Sequence, residues 1–382
     1  MTKKILLTGN RSREMYIFRK GIIEALSQEG YILTIVTPDY DKLSCDFFNR
    51  HGKNIQTGFN KKTLNPFSNL WLCYKLYRIY QSEKPDLIIH YTIKPNIWGS
   101  IAAHFAKIKS IAITTGLGYA FLYRNLSTFI IKILYKIALS YSCEVWFLNE
   151  DDKQVFLQKK LIPPNKAVVI PGEGISTGFF QIAKDKIKKD QIIRFLMIAR
   201  LIIDKGTKEY CEAAQLIRMK YPYTEFQILG ELNPDNIGSI DPEYIFDLHK
   251  REVINYLGTS DDVRKEIKDA DCIVLPSYYR EGVPRTLMEG ASMAKALITT
   301  NNVGCKEVVI DSVNGFLCRT KDSNDLAEKM EKFILLPEDK KIEMGISGRQ
   351  YMIKRFDEKI IIKIYLQKIR KIINNYESMS FS

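Results

Sequence analysis

The sequence contains few of the residues that build metal centres or disulfide frameworks. It has four histidines, and its seven cysteines are scattered, with no CxxC pair among them. Zinc sites and disulfide scaffolds need such residues at short, regular spacings, so neither kind of site is expected. An odd number of cysteines without a framework is typical of a reducing compartment. We therefore expect a protein of the cytoplasm with no bound metal ion.

Long apolar runs and a glycine-rich dinucleotide motif are missing as well. No run reaches the roughly 18 residues that a membrane-spanning helix needs. The start, MTKKILLTGN, enters a strand and lacks the apolar core and cleavage site of a signal peptide. The first strand is followed by LTGN (7–10), with one glycine where GxGxxG would mark a nicotinamide site. The sequence thus predicts no membrane span and no organic cofactor.

Positive charge is present in excess, and it is concentrated in the first half. Residues 1–180 contain 24 Lys and Arg against 13 Asp and Glu, whereas the rest of the chain contains 33 against 31. Such an asymmetry indicates an anionic partner for the first half, which could be nucleic acid, an anionic membrane surface or a phosphorylated lipid. A nucleic-acid-binding protein should also show aromatic stacking platforms or a known binding module. Neither is evident, so nucleic acid is the least favoured of the three.

Strand-length apolar segments alternate with helix-length segments throughout the chain. At 382 residues the chain is too long for one hydrophobic core, and the pattern restarts near residue 192. Near-continuous apolar strands predict an α/β fold with two parallel sheets, each covered by helices on both faces. The lysine-rich stretch 183–191 is the predicted linker. The predicted strands are 3–9, 32–38, 86–91, 110–116, 144–150, 192–200, 224–230, 254–258, 271–277 and 296–300.

Two predicted helices of the first half carry basic residues among large apolar ones. They are NPFSNLWLCYKLYRIY (65–80), which opens with an Asn–Pro start signal, and NLSTFIIKILYKIALSYSC (125–143). One interpretation is a pair of helices mostly buried in their own domain, with lysines that reach out to solvent. The other is a surface that lies on anionic lipid. The first interpretation is the more common one for such helices, and the charge excess strengthens the second without deciding between them.

The stretch REGVPRTLMEG (280–290) places two carboxylates around a strand-to-helix turn. Pro284 is suited to the first helical position, and the free N–H groups of a first turn can stabilise a phosphate. Glu281 would lie in the turn and Glu289 within the helix. A carboxylate accepts hydrogen bonds from two hydroxyls at once, as the vicinal diols of sugars offer. Taken alone these would be ordinary surface acids, but within EGVP at such a turn they indicate a ligand site.

A second group of charged residues follows the first strand of the second half, in MIARLIIDKG (197–206). Arg200 and Lys205 would stand at the carboxyl end of that strand, where parallel sheets bind ligands. Two cations there can neutralise a diphosphate and stabilise charge on a leaving phosphate. The alternative is an ordinary pair of solvated side chains.

Together these motifs resemble a known family. R-x4-K-G, followed about 75 residues later by E-G-x-P-x4-E, is similar to the retaining GT-B glycosyltransferases of family 4. The flanking segments YLGTSDDV (256–263) and ITTNNVGCKEVV (298–309) and the ending KRFDEKIIIKIYLQKI (354–369) agree. The resemblance implies two Rossmann-like domains that face each other across a cleft. Their expected bounds are 1–182 for acceptor binding, 183–357 for the nucleotide-sugar, and 358–382 for a helix that returns to the first domain.

For the catalytic residues the resemblance implies separate roles. Glu281 would bind hydroxyls of the donor sugar, helped by the backbone amides of Gly282 and Val283. Arg200 and Lys205 would stabilise the departing nucleoside diphosphate, so that no metal ion is needed.

For the rest of the ligand site the resemblance is less complete. Glu289 would bind the ribose, Leu257 would border the base, and Gly9 would lie near the phosphates. Many relatives carry a histidine after the third strand of the first domain, where this chain reads HYTIKPN (90–96). Either His90 or Thr92 is expected on the acceptor side.

Within the family, HYTIKPN, TTGLGYAF and EGVPRTLMEG look most like bacterial transferases that build O-antigen, capsule or glycoprotein glycans on undecaprenyl diphosphate. The expected function is transfer of a HexNAc or hexose from a UDP-sugar to such a lipid-linked saccharide, at the inner face of the plasma membrane. A UDP-sugar 2-epimerase with the same fold is an alternative, although it has no acceptor. A metal-dependent transferase is suggested only by Asp269-Ala270-Asp271, which precedes a strand where a metal-binding DxD would follow one.

Overall fold

The computed structural model of the chain describes residues 2–60, 63, 65–117, 126–183, 191–236 and 238–377. The chain divides into two compact units. The first unit comprises Met1–Gly174 and Glu358–Ser382, and the second comprises Ile175–Asp357.

The first unit is a parallel β-sheet with helices on its faces. Its strand order is β3-β2-β1-β4-β5-β6-β7, with every neighbouring pair parallel. The order reverses between β1 and β4, which is the usual place for a ligand site in a doubly wound sheet. The described strands are β1 (Lys4–Thr8), β2 (Ile32–Thr37), β3 (Gly52–Gln56), β4 (Leu87–Tyr91), β5 (Ser110–Thr114), β6 (Glu144–Phe147) and β7 (Ala167–Val169). The described α-helices are α1 (Ser12–Gln28), α2 (Lys42–His51), α3 (Pro66–Glu83), α4 (Ser100–Phe105), α5 (Leu126–Tyr141) and α6 (Glu150–Gln158).

The second unit repeats this plan with a parallel sheet of order β10-β9-β8-β11-β12-β13. The reversal falls between β8 and β11, the strands that precede the two charged motifs. The described strands are β8 (Ile193–Ile198), β9 (Thr224–Leu229), β10 (Asn255–Tyr256), β11 (Cys272–Leu275), β12 (Ala296–Thr300) and β13 (Gly315–Cys318). The described α-helices are α7 (Thr207–Lys220), α8 (Pro242–Lys250), α9 (Arg264–Asp269), α10 (Arg285–Ser292), α11 (Ser323–Ile334) and α12 (Glu338–Arg355).

The structure confirms the predicted α/β class and contains a strand within each of the ten predicted segments. Three further strands, β3, β7 and β13, were not predicted, and each is an edge strand of its sheet. β7 and β13 have only three and four residues, which is too short for a clear apolar run. In β3 no residue is fully buried, and its sequence GKNIQ is mostly polar.

The last helix, α13 (Glu358–Glu377), belongs to the first unit. Tyr365 packs edge-on against Trp146 with ring centres 4.8 Å apart, and Lys368 pairs with Glu144 at 3.2 Å. The ammonium of Lys109 donates to the carbonyl of Ile372 at 3.0 Å. These contacts fix the chain end onto the fold of the first unit.

The boundary between the units lies eight residues before the predicted one, at 174/175 instead of 182/183. The N–H of Ile175 donates to the carbonyl of Phe356 at 2.9 Å, and the Thr177 hydroxyl donates to the Asp357 carboxylate. The guanidinium of Arg349 donates to the carbonyl of Phe180 at 2.9 Å. These long-range hydrogen bonds hold residues 175–180 in the second unit. No local sequence pattern predicts them. Most of the predicted linker lies outside the described residues.

Candidate active site

In the second unit the chain turns from β11 into α10 through residues 276–284. Pro284 is the N-cap residue and not the first helical residue as predicted, since α10 begins at Arg285. Gly304 lies directly against this turn with a φ of +81°. A Cβ at Gly304 would approach the carbonyl oxygens of Glu281 and Gly282 to within 2.7 Å. A glycine is therefore required there for the EGVP turn to pack.

Lys205 and Glu281 form an ion pair at this sheet edge, although they are 76 residues apart in the sequence. Their side chains are only 14% and 12% exposed. The Ser277 hydroxyl donates to the same carboxylate oxygen of Glu281 at 3.1 Å. The backbone carries Lys205 there because Gly206 adopts a left-handed φ of +76° directly before α7. A Cβ at Gly206 would overlap the carbonyl of Pro276, which explains the glycine of the K-G motif.

Tyr279 stands beside this pair, with Lys205 Nζ 5.5 Å from its ring centre. Burial raises the pKa of Tyr279 to about 12, and the charges of Glu281, Arg200 and Asp204 also act on its hydroxyl. Arg200 itself is exposed. The structure thus brings the three predicted catalytic residues, Arg200, Lys205 and Glu281, around one tyrosine.

Glu289 faces the interior from the middle of α10 and pairs with Arg285 at 2.8 Å, one helical turn earlier. Only 7% of Glu289 is exposed. Burial raises the pKa of its carboxyl group above the usual value, and the guanidinium of Arg285 lowers that pKa in part. Asp262 is close enough to raise it further. Glu289 is therefore a buried acceptor beside the cation of Arg285, which suits a hydroxyl-bearing ligand.

The remaining donor-side predictions follow three different strands, two in the second unit and one in the first. The N–H of Leu257 donates to the carbonyl of Ile228 at 2.8 Å, so this residue continues β10 beyond its last paired position. Gly282 and Val283 are buried in the EGVP turn. Gly9 belongs to the first unit, where it follows β1 and donates its N–H to the carbonyl of Val36 at 3.1 Å. The structure places Gly9 just beyond the carboxyl end of β1, as the strand–helix pattern predicts.

The first unit places the two acceptor-side candidates differently. His90 is fully buried within β4, and its Nδ1 is hydrogen-bonded to the Thr8 hydroxyl at 2.8 Å. A Cβ at Gly99 would overlap the imidazole ring, so the ring is enclosed by the backbone. Burial lowers the pKa of His90 to about 3, which keeps the ring neutral. In this position His90 supports the sheet and reaches no surface.

Thr92 follows β4 with a φ of +72°, which is strained for a β-branched residue. Its hydroxyl oxygen is buried and has no hydrogen-bond partner among the described residues. Strain of this kind concentrates at functional sites, where it is compensated by the surrounding structure. Of the two candidates, Thr92 is the one at the carboxyl edge of the sheet.

Comparison with known proteins identifies the two units. Residues 179–351 match the family of glycosyl transferases group 1, and residues 4–149 match the glycosyl transferase 4-like family. The chain is a glycosyltransferase. Its sequence resemblance to family 4 is thus confirmed, and its two Rossmann-like units are those of the GT-B fold.

Individual relatives of this glycosyltransferase match from about two thirds to nearly all of its length. The N,N'-diacetylbacillosaminyl-diphospho-undecaprenol α-1,3-N-acetylgalactosaminyltransferase of Campylobacter jejuni is 29% identical over 97% of this chain and 100% of its own. The UDP-Gal:α-D-GlcNAc-diphosphoundecaprenol α-1,3-galactosyltransferase of Escherichia coli is 26% identical over 69% of this chain and 70% of its own. Anabaena Alr3699/HepE, crystallised with UDP and glucose, has a TM-score of 0.77 at 16% identity, with 97% of this chain and 100% of that one covered.

Ser277 and Tyr279 contact Glu281 and Lys205 and are residues of the candidate site that the sequence did not predict. Both lie in the short loop after β11, and the carboxyl end of a strand beside a topological switch is the one signal that could have found them. Asn302 also belongs to the site, because its amide donates to the carbonyl of Tyr279 at 3.0 Å. This contact depends on the packing of residues 301–304 against the loop, so the sequence alone could not predict it.

Proposed function

We propose that this glycosyltransferase moves a HexNAc or hexose from a UDP-sugar to a polyprenyl-diphosphate-linked saccharide, with retention of the anomeric configuration, in the synthesis of a bacterial surface glycan. The observation that carries the proposal is the Lys205–Glu281 ion pair with Arg200 nearby. These residues lie at the carboxyl ends of β8 and β11, between which the strand order reverses. The relatives from Campylobacter jejuni and Escherichia coli support the acceptor class, since both names specify a diphosphate-linked undecaprenol.

The charges of the site suit a nucleoside diphosphate donor. Lys205 and Arg200 would neutralise the diphosphate and stabilise the charge that grows on it as the glycosidic bond breaks. Glu281 would accept hydrogen bonds from hydroxyls of the donor sugar, and Glu289 would accept hydrogen bonds from the two ribose hydroxyls. The acceptor hydroxyl oxygen bonds to the anomeric carbon, the bond from that carbon to the diphosphate breaks, and the acceptor proton passes to the leaving phosphate. Since two side-chain cations supply the positive charge, we propose that the reaction needs no metal ion.

The helices of the first unit suit a membrane surface. α3 buries Leu72, Leu76 and Tyr80 but exposes Phe67, Leu70, Trp71 and Tyr74, with Phe67 82% exposed. α5 exposes Phe129, Ile130, Ile133 and Ile137, each by 45% or more. Both helices pack against α4 and the preceding turn, so they belong to one layer of the unit. Large aromatic and aliphatic side chains on one helical layer can enter the boundary between headgroups and acyl chains.

The charge of the same region supports an anionic membrane. Residues 47–143, which contain α3, α4 and α5, hold thirteen Lys and Arg but only two acidic residues, Glu83 and Asp86. Each basic residue near an anionic bilayer surface contributes about 1 kcal/mol of attraction. None of the helices in the described ranges is both long enough and apolar enough to cross a bilayer. We propose peripheral association with the inner face of the plasma membrane, where an undecaprenyl-linked acceptor is found.

The proposed reaction is tested by incubating the protein with UDP-GalNAc, UDP-Gal, UDP-GlcNAc or UDP-Glc and synthetic undecaprenyl-diphosphate-linked saccharides. We expect UDP release that depends on the acceptor, and a product with an α linkage by NMR. Turnover should survive EDTA. UDP-GlcNAc alone should give no UDP-ManNAc, since that product would identify an epimerase. Failure to transfer from any of these donors to any lipid-linked acceptor would refute the proposal.

Membrane association is tested by sedimentation with vesicles of phosphatidylglycerol or of phosphatidylcholine. We expect binding to the anionic vesicles, reduced at high salt, and a loss of about tenfold or more in the Phe67→Glu/Trp71→Glu variant. Tyr40→Glu/Phe246→Glu is the matched control, because both side chains are exposed aromatics outside this helical layer. Equal losses in the two double variants would show that added charge alone, and not this surface, governs binding.

A further inference from the structure

Two adjacent tyrosines in the loop after β11 contact two different lysines. The ring centre of Tyr279 lies 5.5 Å from Lys205 Nζ, whereas the ring centre of Tyr278 lies 4.6 Å from Lys321 Nζ. Both distances are within the range of cation–π attraction. Of the two, only the Tyr279 contact involves a residue of the candidate site.

The backbone fixes Tyr279 to the segment that carries Lys205. The N–H groups of Tyr278 and Tyr279 donate to the carbonyl of Asp204 at 2.9 and 2.8 Å. On the other side, the carbonyl of Tyr279 accepts from the Asn302 amide at 3.0 Å. The loop is therefore hydrogen-bonded directly to the turn that ends in Lys205, and the ring of Tyr279 has a defined position relative to the ammonium.

The ion pair by itself cannot hold Lys205 once the donor is bound. In the free protein Lys205 pairs with Glu281, but the proposed function assigns the carboxylate to sugar hydroxyls and the ammonium to the diphosphate. A lysine side chain has four rotatable bonds and loses considerable rotamer freedom when it is fixed. The ring of Tyr279 attracts the ammonium without carrying a charge that would compete with a phosphate.

We propose that Tyr279 is a positioning residue that holds the ammonium of Lys205 at the distal phosphate of the nucleoside diphosphate. This inference rests on the proposed function, which assigns Lys205 to the donor diphosphate. Tyr279 acts through Lys205, so its effect should appear only with ligands that carry the second phosphate.

The test compares the affinities of the protein for UDP and UMP by calorimetry. Lys205→Ala should lower the affinity for UDP and leave that for UMP nearly unchanged. Tyr279→Leu should lower the affinity for UDP about tenfold, with less than a twofold change for UMP. Tyr279→Phe keeps the ring and should restore most of the UDP affinity. Tyr278→Leu is the matched control and should change neither affinity.

The double variant Lys205→Ala/Tyr279→Leu separates positioning from general support of the fold. If Tyr279 acts through Lys205, the second substitution should add nothing to the first. Additive losses, an equal loss for UDP and UMP, or a Tyr279→Phe variant as weak as Tyr279→Leu would overturn the inference. If Tyr279→Leu does not fold, Tyr279→Met carries the same expectations, because its unbranched side chain adapts to irregular gaps and also lacks a ring.

The two proposals fail in different ways. If Lys205→Ala leaves the preference for UDP over UMP intact, the proposed assignment of Lys205 is refuted, and the role of Tyr279 with it. If Lys205→Ala removes the preference and Tyr279→Leu does not reduce it, only the role of Tyr279 is refuted.

Discussion

The carboxyl edges of the two sheets carry different chemistry on the same kind of scaffold. In the second unit the edge is lined by charged side chains that already pair, Lys205 with Glu281 and Arg285 with Glu289. In the first unit the corresponding edge has ion pairs too, such as Arg13 with Asp41, but it also carries buried uncharged polar atoms. Asn10 Oδ1, Thr92 Oγ1 and Thr114 Oγ1 are buried and have no hydrogen-bond partner in the described part of the chain.

This difference indicates what each edge can bind. Paired charges at low exposure favour a ligand that brings its own charge and its own hydroxyls, as a nucleoside diphosphate sugar does. Unpaired neutral acceptors and hydroxyls favour an uncharged ligand that supplies hydrogen bonds, such as a saccharide.

The largest expected effect comes from removing the carboxylate of the Lys205–Glu281 pair. Glu281→Ala should reduce kcat/KM by about 1,000-fold or more, because a group that contacts the reacting sugar acts on the transition state. Steady-state kinetics with the best donor measure the change. Glu225→Ala is the matched control, since Glu225 pairs with Arg194 at 2.9 Å at the amino edge of the same sheet. Similar losses of kcat/KM in the two variants would show that a carboxylate at the carboxyl edge of this sheet has no special role in the reaction.

A smaller effect is expected at Glu289, which we assign to binding of the donor and not to the reaction. Glu289→Ala should raise the KM for the donor about 10- to 100-fold, with less change in kcat. In the wild-type protein, burial raises the pKa of this carboxyl group, so it should take up a proton as the pH falls before an ordinary glutamate does. The KM for the donor should therefore rise as the pH falls, at a pH above that at which an ordinary glutamate takes up a proton, and a flat profile would contradict a role for ionised Glu289.

In the first unit the expected effect of pH is on stability. The pKa of His90 is about 3 in the folded protein, below the ordinary value of 6.5. The unfolded chain therefore binds a proton first, and the contribution of His90 to stability is complete above pH 6.5 and is lost as the pH falls toward 3. The loss should approach about 1.4 kcal/mol for each pH unit below 6.5. Unfolding by urea at several pH values, compared with His90→Gln, measures it, and parallel pH dependences would exclude His90 as the cause.

The smallest expected effect concerns the strained residue of the first unit. Thr92→Gly removes the penalty of a β-branched residue at φ +72° and should stabilise the fold by up to about 1 kcal/mol. The same change removes the buried hydroxyl of Thr92 from the carboxyl edge of the sheet, so the KM for the acceptor should rise several-fold. Thermal unfolding and acceptor titrations measure the two quantities. A gain in stability with an unchanged acceptor KM would show that the strain has no part in acceptor binding.

Much of the fold could be predicted from the sequence because its signals are local. The strand β4 reads LIIHY, and α3 begins where Asn65 accepts hydrogen bonds from the N–H groups of Phe67 and Ser68. The EGVP turn and the K-G motif likewise specify backbone conformations by residue type. Edge strand β3 carries too few apolar residues for such a signal, and the boundary at Gly174 depends on contacts made with residues 349–357.

The sequence by itself determined two parallel α/β sheets, the ends of their central strands and the charged side chains placed there, since hydrophobic period and turn chemistry act over a few residues. Only the tertiary structure decided that Lys205 meets Glu281 beside Tyr279, that His90 is enclosed while Thr92 is strained at the edge, and that α3 and α5 each leave an apolar face exposed. These features depend on which distant segments pack together, and packing over long separations leaves no trace in a local pattern.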